Sequence, residues 1–211
     1  MVWLATLNGE QGDFDAGHQF ASDAVRMAED ANHPWSRAAA YFGLGALLIA
    51  ERKCVAAIPV LERGLRLCDS NAISSWRTTM AWHLGYARAC EHDLGRGIPL
   101  LEEAVKKAAA DRCFAAQSMR VGWLAEAYLF AGAVERARKL AEEAFSIAVT
   151  YNELPAQGHI QRILGDIALA QHPEISSAAS EHYNAAETIA RQLSMRPLLN
   201  RCEAFKAQKR S

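Results

Sequence analysis

The chain repeats itself about every 40 residues, and this repetition limits the folds open to it more than any other feature of the sequence. Blocks cut before Tyr41, Ala81, Val121 and Gln161 open alike, with leucine at the fourth position and a small residue at the fifth. These leucine-small pairs are Leu44-Gly45, Leu84-Gly85, Leu124-Ala125 and Leu164-Gly165. An earlier copy joins through Leu4 and Ala5, which makes five copies. In the last of them a small residue farther along the block comes two residues late, at Ala186. We therefore expect five similar structural units.

Each block reads as a pair of α-helices, because apolar residues recur at helical spacing and strand-like alternation is absent. In the second block the helices are predicted near residues 36–51 and 55–69. Turn-forming residues mark the breaks, and the delay of the fifth copy falls in the last of them. The predicted breaks are Asn8-Gly9, Asn32-His33-Pro34, Asn71, Asp93-Leu94-Gly95, Asp111, Glu153-Leu154-Pro155 and His172-Pro173. We expect Pro59 and Pro99 in the first turn of a helix, where a missing amide donor does no harm.

A second column of small residues recurs farther along each block, at Ala24, Gly64, Ala104 and Ala144. A helix pair of this size cannot bury its own apolar face, so the copies must stack on one another. Glycine or alanine at a crossing lets two helix backbones approach closely. Both small-residue columns therefore predict points where helices cross.

The order of these residues resembles the tetratricopeptide repeat, with a period longer than the usual one of about 34 residues. In the second block the matching residues are Tyr41, Leu44, Gly45, Leu48, Ala57, Leu61 and Gly64. The resemblance implies an all-α fold, a right-handed superhelical solenoid of antiparallel helix pairs. It predicts one domain over residues 1–211, with a capping helix near 196–208. The five repeats are predicted near 1–33, 34–72, 73–112, 113–153 and 154–194.

The C-terminal stretch carries a narrower resemblance. The run SSAASEHYNAAETIARQLSMRPLLNRC is similar to the C-terminal ends of bacterial class III adenylate and guanylate cyclases that carry an AAA-type ATPase. The resemblance centres on Glu181 to Cys202, and related repeats also end ATPase-linked transcription regulators. Both families imply a regulatory role in bacterial signalling. The basic residues Arg196, Arg201, Lys206, Lys209 and Arg210 are interpreted as a solvated face of the capping helix, opposite Leu198, Leu199, Cys202 and Phe205.

Composition argues against several classes of partner. The 23 basic and 24 acidic residues give a formal net charge of −1, so no excess positive field exists to hold a nucleic acid. No apolar run approaches the roughly 18 residues of a membrane span, and the N-terminus lacks the pattern of a signal peptide. The five cysteines are scattered and read as reduced residues of a cytoplasmic protein.

Motifs for catalysis and for phosphate or dinucleotide binding are absent from the sequence. The nearest approach to a metal site, Cys90-Glu91-His92-Asp93, lacks ligand spacing and is interpreted as a polar helix end. His83 has no acid or nucleophile at a recognisable spacing and is interpreted as a packed or capping residue. We therefore expect a non-catalytic chain without metal or cofactor.

By the tetratricopeptide resemblance, the first helix of each pair lines a concave groove. Positions beside the leucine-small step, one turn before it and one turn after it would then form the groove. The predicted binding residues are Phe42, Trp82, Tyr86, Met119, Glu126, His159, Arg162 and Asp166. Phe42 and Trp82 could instead complete the core. Arg162 and Asp166 are expected at the surface, because buried unpaired charges are costly.

These observations predict a scaffold that binds a peptide or protein segment in its groove, with Trp82 and Tyr86 as anchors and the charged residues setting orientation. The alternative is a sensing domain that holds a small-molecule inducer. Only Met1 to Leu7 precede the predicted break at Asn8-Gly9, against about sixteen residues in a full first helix. We expect either that the chain is part of a longer protein or that another copy covers this apolar edge.

Overall fold

Eleven α-helices account for most of the residues that the computed structural model describes, which are 1–111, 116–171 and 176–208. Those residues contain no β-strand, so the predicted all-α class is confirmed. Seven of the helices are 17 residues long. The helices are α1 Val2–Gln11, α2 Phe14–Asp30, α3 Pro34–Ala50, α4 Cys54–Ser70, α5 Ser74–Cys90, α6 Leu94–Ala110, α7 Gln117–Phe130, α8 Val134–Thr150, α9 Leu154–Gln171, α10 Ser176–Gln192 and α11 Arg196–Gln208.

The turns between helices follow one pattern, in which a residue with positive φ ends the preceding helix. Such residues stand at positions 12, 32, 52, 72, 92, 132 and 152. The amide of the next residue donates to a carbonyl five residues back, as Lys53 does to Leu48 and Glu153 to Ala148, both at 2.8 Å. This Schellman arrangement satisfies the free carbonyls of the helix end. One helix with its turn therefore fills 20 residues, and the 40-residue repeat is two such units.

The fifth copy is delayed in the structure as in the sequence. The positive-φ residue Ser194 follows Asn152 by 42 residues rather than 40. The loop to which the two extra residues were assigned, around His172-Pro173, lies outside the described residues. Turns lie within three residues of the predicted breaks at Asn32-His33-Pro34, Asn71, Asp93-Leu94-Gly95 and Glu153-Leu154-Pro155. The turn at residues 131–133, between α7 and α8, was not predicted.

The predicted break at Asn8-Gly9 is wrong, because α1 continues through it to Gln11 and ends at Gly12, whose φ is 75°. Gly9 serves close packing instead. A Cβ atom at Gly9 would lie 3.2 Å from the Cβ atom of Ala50 and 3.3 Å from Cδ1 of Leu47. Asn8 stays helical and its side chain donates to the carbonyl of Leu4 at 2.8 Å.

The prolines also lie one turn later than predicted, since Pro59 and Pro99 are the sixth residues of α4 and α6. Each removes the amide that would bond the carbonyl four residues earlier, in Val55 or Gly95. Val55 is 69 % exposed, and a Cβ atom on Gly95 would meet nothing within 4 Å. Water can therefore reach both carbonyls, which explains why the helices continue.

The helices group into two compact units, residues 1–107 and 108–211. In the N-terminal unit α1, α3 and α5 contact one another in turn, α2 packs on α1 and α3, and α4 on α3 and α5. In the C-terminal unit α7 contacts α9, α8 packs on both, and α10 joins α9 to α11. We call α1, α3, α5, α7 and α9 the first helices. The predicted single domain with five stated repeat boundaries stays a prediction.

The small-residue columns lie where helices cross. In the N-terminal unit Gly45 packs on Leu61, and Gly64 on Met80. In the C-terminal unit Gly165 packs on Tyr183. The tightest approach between backbones joins Gly85 of α5 and Gly97 of α6, where a Cβ atom on either glycine would lie 2.8 to 2.9 Å from the other's carbonyl oxygen. No helix among the described residues is long and apolar enough to cross a bilayer.

The crossing of α5 and α6 gives a test of this packing. Changing Gly85 to leucine should lower the free energy of unfolding by about 1–3 kcal/mol, because an overfilled crossing must open. Gly95→Ala, in open space at the start of α6, is the control and should be neutral or stabilising by up to about 1 kcal/mol. Urea denaturation of both variants measures the difference. Equal stability of the two variants would contradict the assigned role of Gly85.

Candidate functional site

The predicted groove residues of the N-terminal unit are buried. Phe42, Trp82 and Tyr86 all lie in the core, with small exposed fractions. The ring centroid of Phe42 lies 5.1 Å from that of Trp76 and 4.9 Å from that of His83. His83 is itself buried, and its Nδ1–H group donates to the carbonyl of Thr79 at 2.8 Å. The interpretation of His83 as a packed residue agrees with these contacts.

Three tryptophan side chains that were not predicted as site residues lie close to Phe42. Trp3, Trp35 and Trp76 occupy the first turns of α1, α3 and α5. The Trp76 ring is central, with centroid distances of 6.3 Å to Trp3 and 5.5 Å to Trp35, and Trp3 lies 5.8 Å from Phe42. Trp3 is 68 % exposed and Trp35 is 49 % exposed. We call these four residues, Trp3, Trp35, Phe42 and Trp76, the aromatic surface.

A detectable sequence signal marked the aromatic surface. Each of the three tryptophans falls in the first turn of a first helix, and no other first turn of an α-helix in this unit carries tryptophan. Alignment of the repeats does not reveal this signal, because Trp3, Trp35 and Trp76 do not fall in one column. Their meeting depends on how the helices pack, since Val2 at the start of α1 lies against Gly43 in the middle of α3. Sequence periodicity does not specify this packing.

In the C-terminal unit the predicted charged residues come together in a buried network. Glu126 of α7 is 1 % exposed and Arg162 of α9 is 2 % exposed. Arg162 Nη2 donates to Glu126 Oε2 at 2.8 Å, and Arg201 Nη2 of α11 donates to Glu126 Oε1 at 3.0 Å. Arg162 also donates to Asp166, which accepts a further bond from the Tyr183 hydroxyl. We call these five residues the charge network.

Two expectations about this region are therefore wrong. Arg162 is not a surface charge, because Glu126 and Asp166 together neutralise it within the core. Arg201 is not part of a solvated face, because it reaches Glu126 from the capping helix. The apolar side of α11 agrees with prediction, since Leu198, Cys202 and Phe205 are buried. A buried arginine is tolerated only when paired in this way.

The charge network fixes the ionisation of its neighbours. Burial raises the pKa of the Tyr183 phenol far above its usual range, and the adjacent Asp166 carboxylate raises it further. The phenol therefore stays protonated and serves as the donor to Asp166. Burial also raises the pKa of the Cys202 thiol to about 11, so this thiol is not nucleophilic near neutral pH. The Tyr183 phenol and the Cys202 thiol therefore have structural roles, and neither group is activated for catalysis.

Met119 and His159, the remaining predicted groove residues, are half-buried on α7 and α9. Among the described residues no three His, Cys, Asp or Glu side chains are grouped to hold a metal ion. Asp93, in the sequence considered for a metal, accepts from Arg88 at 2.9 Å and from Arg96 at 2.7 Å. The cysteines within the described residues are all free thiols.

A cleft of about 580 Å³ lies between α4, α5 and α6 of the N-terminal unit. Leu65, Leu84 and Pro99 form apolar parts of its wall. Its buried arginine, Arg88, donates to Glu62 at 2.5 Å as well as to Asp93. Because the charged groups of the cleft are already paired, they do not single out a ligand.

Together, helix pairs, recurrent turns and glycine crossings define a tetratricopeptide-like repeat fold. The chain is similar to a solved structure of nearly identical TPR-like repeats from a Podosopora anserina kinesin light chain, in a glutamine-to-methionine variant form. The TM-score is 0.60. Its sequence identity is 20 %, over 90 % of this chain and 93 % of that chain. A second structure of these repeats matches with a TM-score of 0.59 and a sequence identity of 20 %. The match covers 90 % of this chain and 94 % of that chain. This likeness shows the fold alone, and neither a protein-family model nor a curated protein matches the chain.

The charge network predicts that Arg162→Ala is strongly destabilising. Removing the guanidinium leaves the buried Glu126 with one partner fewer, and breaking a buried ion pair costs about 3–5 kcal/mol of unfolding free energy. Arg138→Ala is the control, because Arg138 makes exposed pairs with Glu135 and Glu142 on α8 that are worth about 0–1 kcal/mol. Chemical denaturation compares the two. A loss below about 1 kcal/mol for Arg162→Ala would be inconsistent with a buried network.

Proposed function

We propose that this protein is a non-catalytic scaffold that binds a peptide or protein segment on the surface of its first helices. The observation that carries this proposal is the aromatic surface. Two tryptophans are extensively exposed there, beside two further rings, in a chain whose other tryptophans are largely covered. Exposed clusters of large apolar side chains mark interaction sites, and tryptophan is enriched among residues that dominate binding energy.

The aromatic surface is better suited to anchor a partner than the predicted pair Trp82 and Tyr86. A side chain anchors a partner by losing solvent-exposed area on binding, and Trp82 and Tyr86 have little left to lose. Trp3 and Trp35 have most or half of their surface available. The direct groove role of Trp82 and Tyr86 stays a prediction. Trp82 packs on His83, which in turn contacts Phe42 of the aromatic surface.

The predicted groove residues of the C-terminal unit contribute differently in this proposal. Glu126 and Asp166 are balanced by Arg162 and Arg201, so a partner gains little by pairing with these residues. We assign them the role of holding α7, α9 and α11 together. Met119 and His159 remain half-buried candidates for partner contact.

An inducer-binding domain is the second candidate, and the cleft between α4, α5 and α6 is the observation that favours it. Its volume lies within the usual range of about 300–1,000 Å³ for ligand pockets. A small molecule bound there would protect Leu84 and Arg88 rather than the aromatic surface. Ligand-induced protection from hydrogen exchange in α4 to α6 would favour this function over the scaffold.

We further propose that the chain acts in the cytoplasm, in a bacterial signalling protein such as a nucleotide cyclase or an ATPase-linked regulator. The support is the likeness of residues 181–202 to the ends of such proteins. Co-purification of cyclase or ATPase activity with this chain from its source cells would agree with this context. Repeated isolation without either activity would contradict it.

We also propose self-association through α1, where Met1, Leu4 and Leu7 are exposed. Sedimentation velocity over a range of concentrations should show a dimer, because pairing would cover these apolar side chains. The variant Leu4→Glu/Leu7→Glu should remain monomeric and folded, since an exposed carboxylate opposes an apolar interface. A wild-type chain that stays monomeric at all concentrations would exclude this mode of association.

The scaffold function predicts that peptides selected from a random display library bind through the aromatic surface. The variant Trp3→Ala/Trp35→Ala should lose at least about 2 kcal/mol of binding free energy for them. Its unfolding free energy should fall by only about 1–2 kcal/mol, because two exposed aromatic contacts are lost. Val55→Ala, an exposed apolar residue of α4 in the same unit, is the matched control and should change neither quantity appreciably. Selected peptides that bind the double variant as tightly as the wild type would refute the proposed site.

A further inference from the structure

One face of α1 carries a continuous apolar stripe. Trp3, Leu4 and Leu7 are 68 %, 43 % and 51 % exposed, whereas Ala5 and Gly9 of the same helix are buried. At about 100° per residue, Leu7 lies about 40° from Trp3 and about 60° from Leu4 around the helix axis. The three exposed side chains are therefore neighbours on one helix face. We call Trp3, Leu4 and Leu7 the outer stripe, which joins the aromatic surface to the leucines of the proposed self-association.

The outer stripe has the character of a face that packs against other helices. Leu47 stands 40 residues after Leu7, at the same position of the next repeat, and is buried. It packs between α1 and α2, where a Cβ atom on Gly17 would lie 2.7 Å from its Cδ1 atom. The residues at this position in the later first helices are at most 1 % exposed, and they are Ala87, Ala127 and Ile167. Exposed apolar area at Leu7 is therefore area that this fold otherwise buries between helices, and it favours association.

A second copy of the chain suits the outer stripe, because the stripe can pair with itself. Residues 1–9 carry no charged side chain, so two copies of this face meet without charge repulsion between side chains. In an antiparallel two-fold pairing of α1 centred between residues 5 and 6, Leu4 of each copy faces Leu7 of the other. Stacking of α1 on α11 of another copy is disfavoured, because the exposed side chains described on α11 include no large apolar one. They are Arg196, Asn200, Glu203 and Ala204.

A dimer formed through the two leucines must also cover Trp3. A stable interface buries about 800 Å² on each partner, which is a patch roughly 30 Å across. The whole of α1 has 10 residues and is about 15 Å long. An interface of the required size centred on Leu4 and Leu7 therefore extends beyond both ends of α1. It includes the indole of Trp3, whose ring centroid lies 5.8 Å from that of Phe42 and 6.3 Å from that of Trp76.

We propose that a second copy of the chain closes the aromatic surface, so that the dimer is the resting form and the monomer binds the partner. The dimer covers the indole of Trp3, which is the most exposed ring available to a partner on this surface. Because the same area cannot be buried twice, the two associations exclude each other, and each weakens the other by the same factor. The inference rests on the proposed scaffold function and on the proposed self-association, and it specifies how the second regulates the first.

Hydroxyl-radical footprinting of the full chain, read by mass spectrometry, tests whether the dimer covers Trp3. Oxidation of Trp3 should fall at least about threefold between concentrations at which sedimentation velocity shows monomer and dimer, because an interface core excludes water. Tyr151, which is 53 % exposed in the C-terminal unit, is the internal control and should be oxidised equally at both. In the folded variant Leu4→Glu/Leu7→Glu, oxidation of Trp3 should not depend on concentration. A dimer in which Trp3 stays as reactive as in the monomer overturns the proposal.

Mutual exclusion is tested with a peptide selected from the display library on the Leu4→Glu/Leu7→Glu variant, after circular dichroism has shown that this variant is folded. Added at saturation to wild-type chain that is half dimeric, the peptide should lower the dimer fraction at least about threefold, and a scrambled peptide should not. A peptide that saturates the chain while the dimer persists overturns the proposal and leaves both the scaffold function and the self-association standing.

The remaining outcomes separate the proposals from one another. A chain that is monomeric at every concentration removes the self-association and this inference together. The scaffold function stands in that case if library peptides still require Trp3 and Trp35. Failure to select any peptide counts against the scaffold function, and this inference falls with it, whereas the self-association is still decided by sedimentation.

Discussion

Close approach between helix backbones is the constraint on which the rest of the structure depends. A single helix pair leaves much of its apolar face uncovered, so each pair needs neighbours at short distance. Gly85 and Gly97 permit this where a Cβ atom would lie 2.8 to 2.9 Å from a carbonyl oxygen. Gly45 on Leu61 and Gly165 on Tyr183 serve the same purpose in their own units. The long apolar side chains of the core can fill their positions because these small residues fix the helix spacing.

Much of the fold could be predicted because the repeat gives several independent views of one unit. Turn positions and small-residue columns recur in each copy, so one ambiguous block is corrected by the others. The errors fall where a residue has two physical uses. Gly9 permits both turns and close packing, and only the neighbouring Ala50 decides between them. Pro59 is tolerated beyond the first turn because the exposed Val55 leaves the carbonyl that loses its donor open to water.

The candidate site was harder to predict, because its geometry joins residues that the repeat does not align. Arg162 was expected at the surface, because the repeat columns do not show that Glu126 of α7 and Asp166 of α9 both pair with it. Arg201 belongs to the capping helix, which has no counterpart in the other copies. Trp3, Trp35 and Trp76 occupy different positions in their blocks, and Trp3 meets Trp76 because the start of α1 packs on Gly43 in the middle of α3. The first helices of the two units therefore differ: in one unit they are joined by paired buried charges, while in the other they carry exposed tryptophan rings.

The regular spacing of the left-handed turn residues has a consequence for how such a chain can change in length. Losing one residue inside a helix would rotate everything beyond it in that helix by about 100° relative to its neighbours. Such a deletion before Trp76 or Arg162 would swing the side chain off its face and disrupt the contacts that give it a role. An added residue is harmless only where a loop can absorb it. Lineages of this chain should therefore vary in length by whole helix-and-turn modules or at loops, and hardly at all within helices.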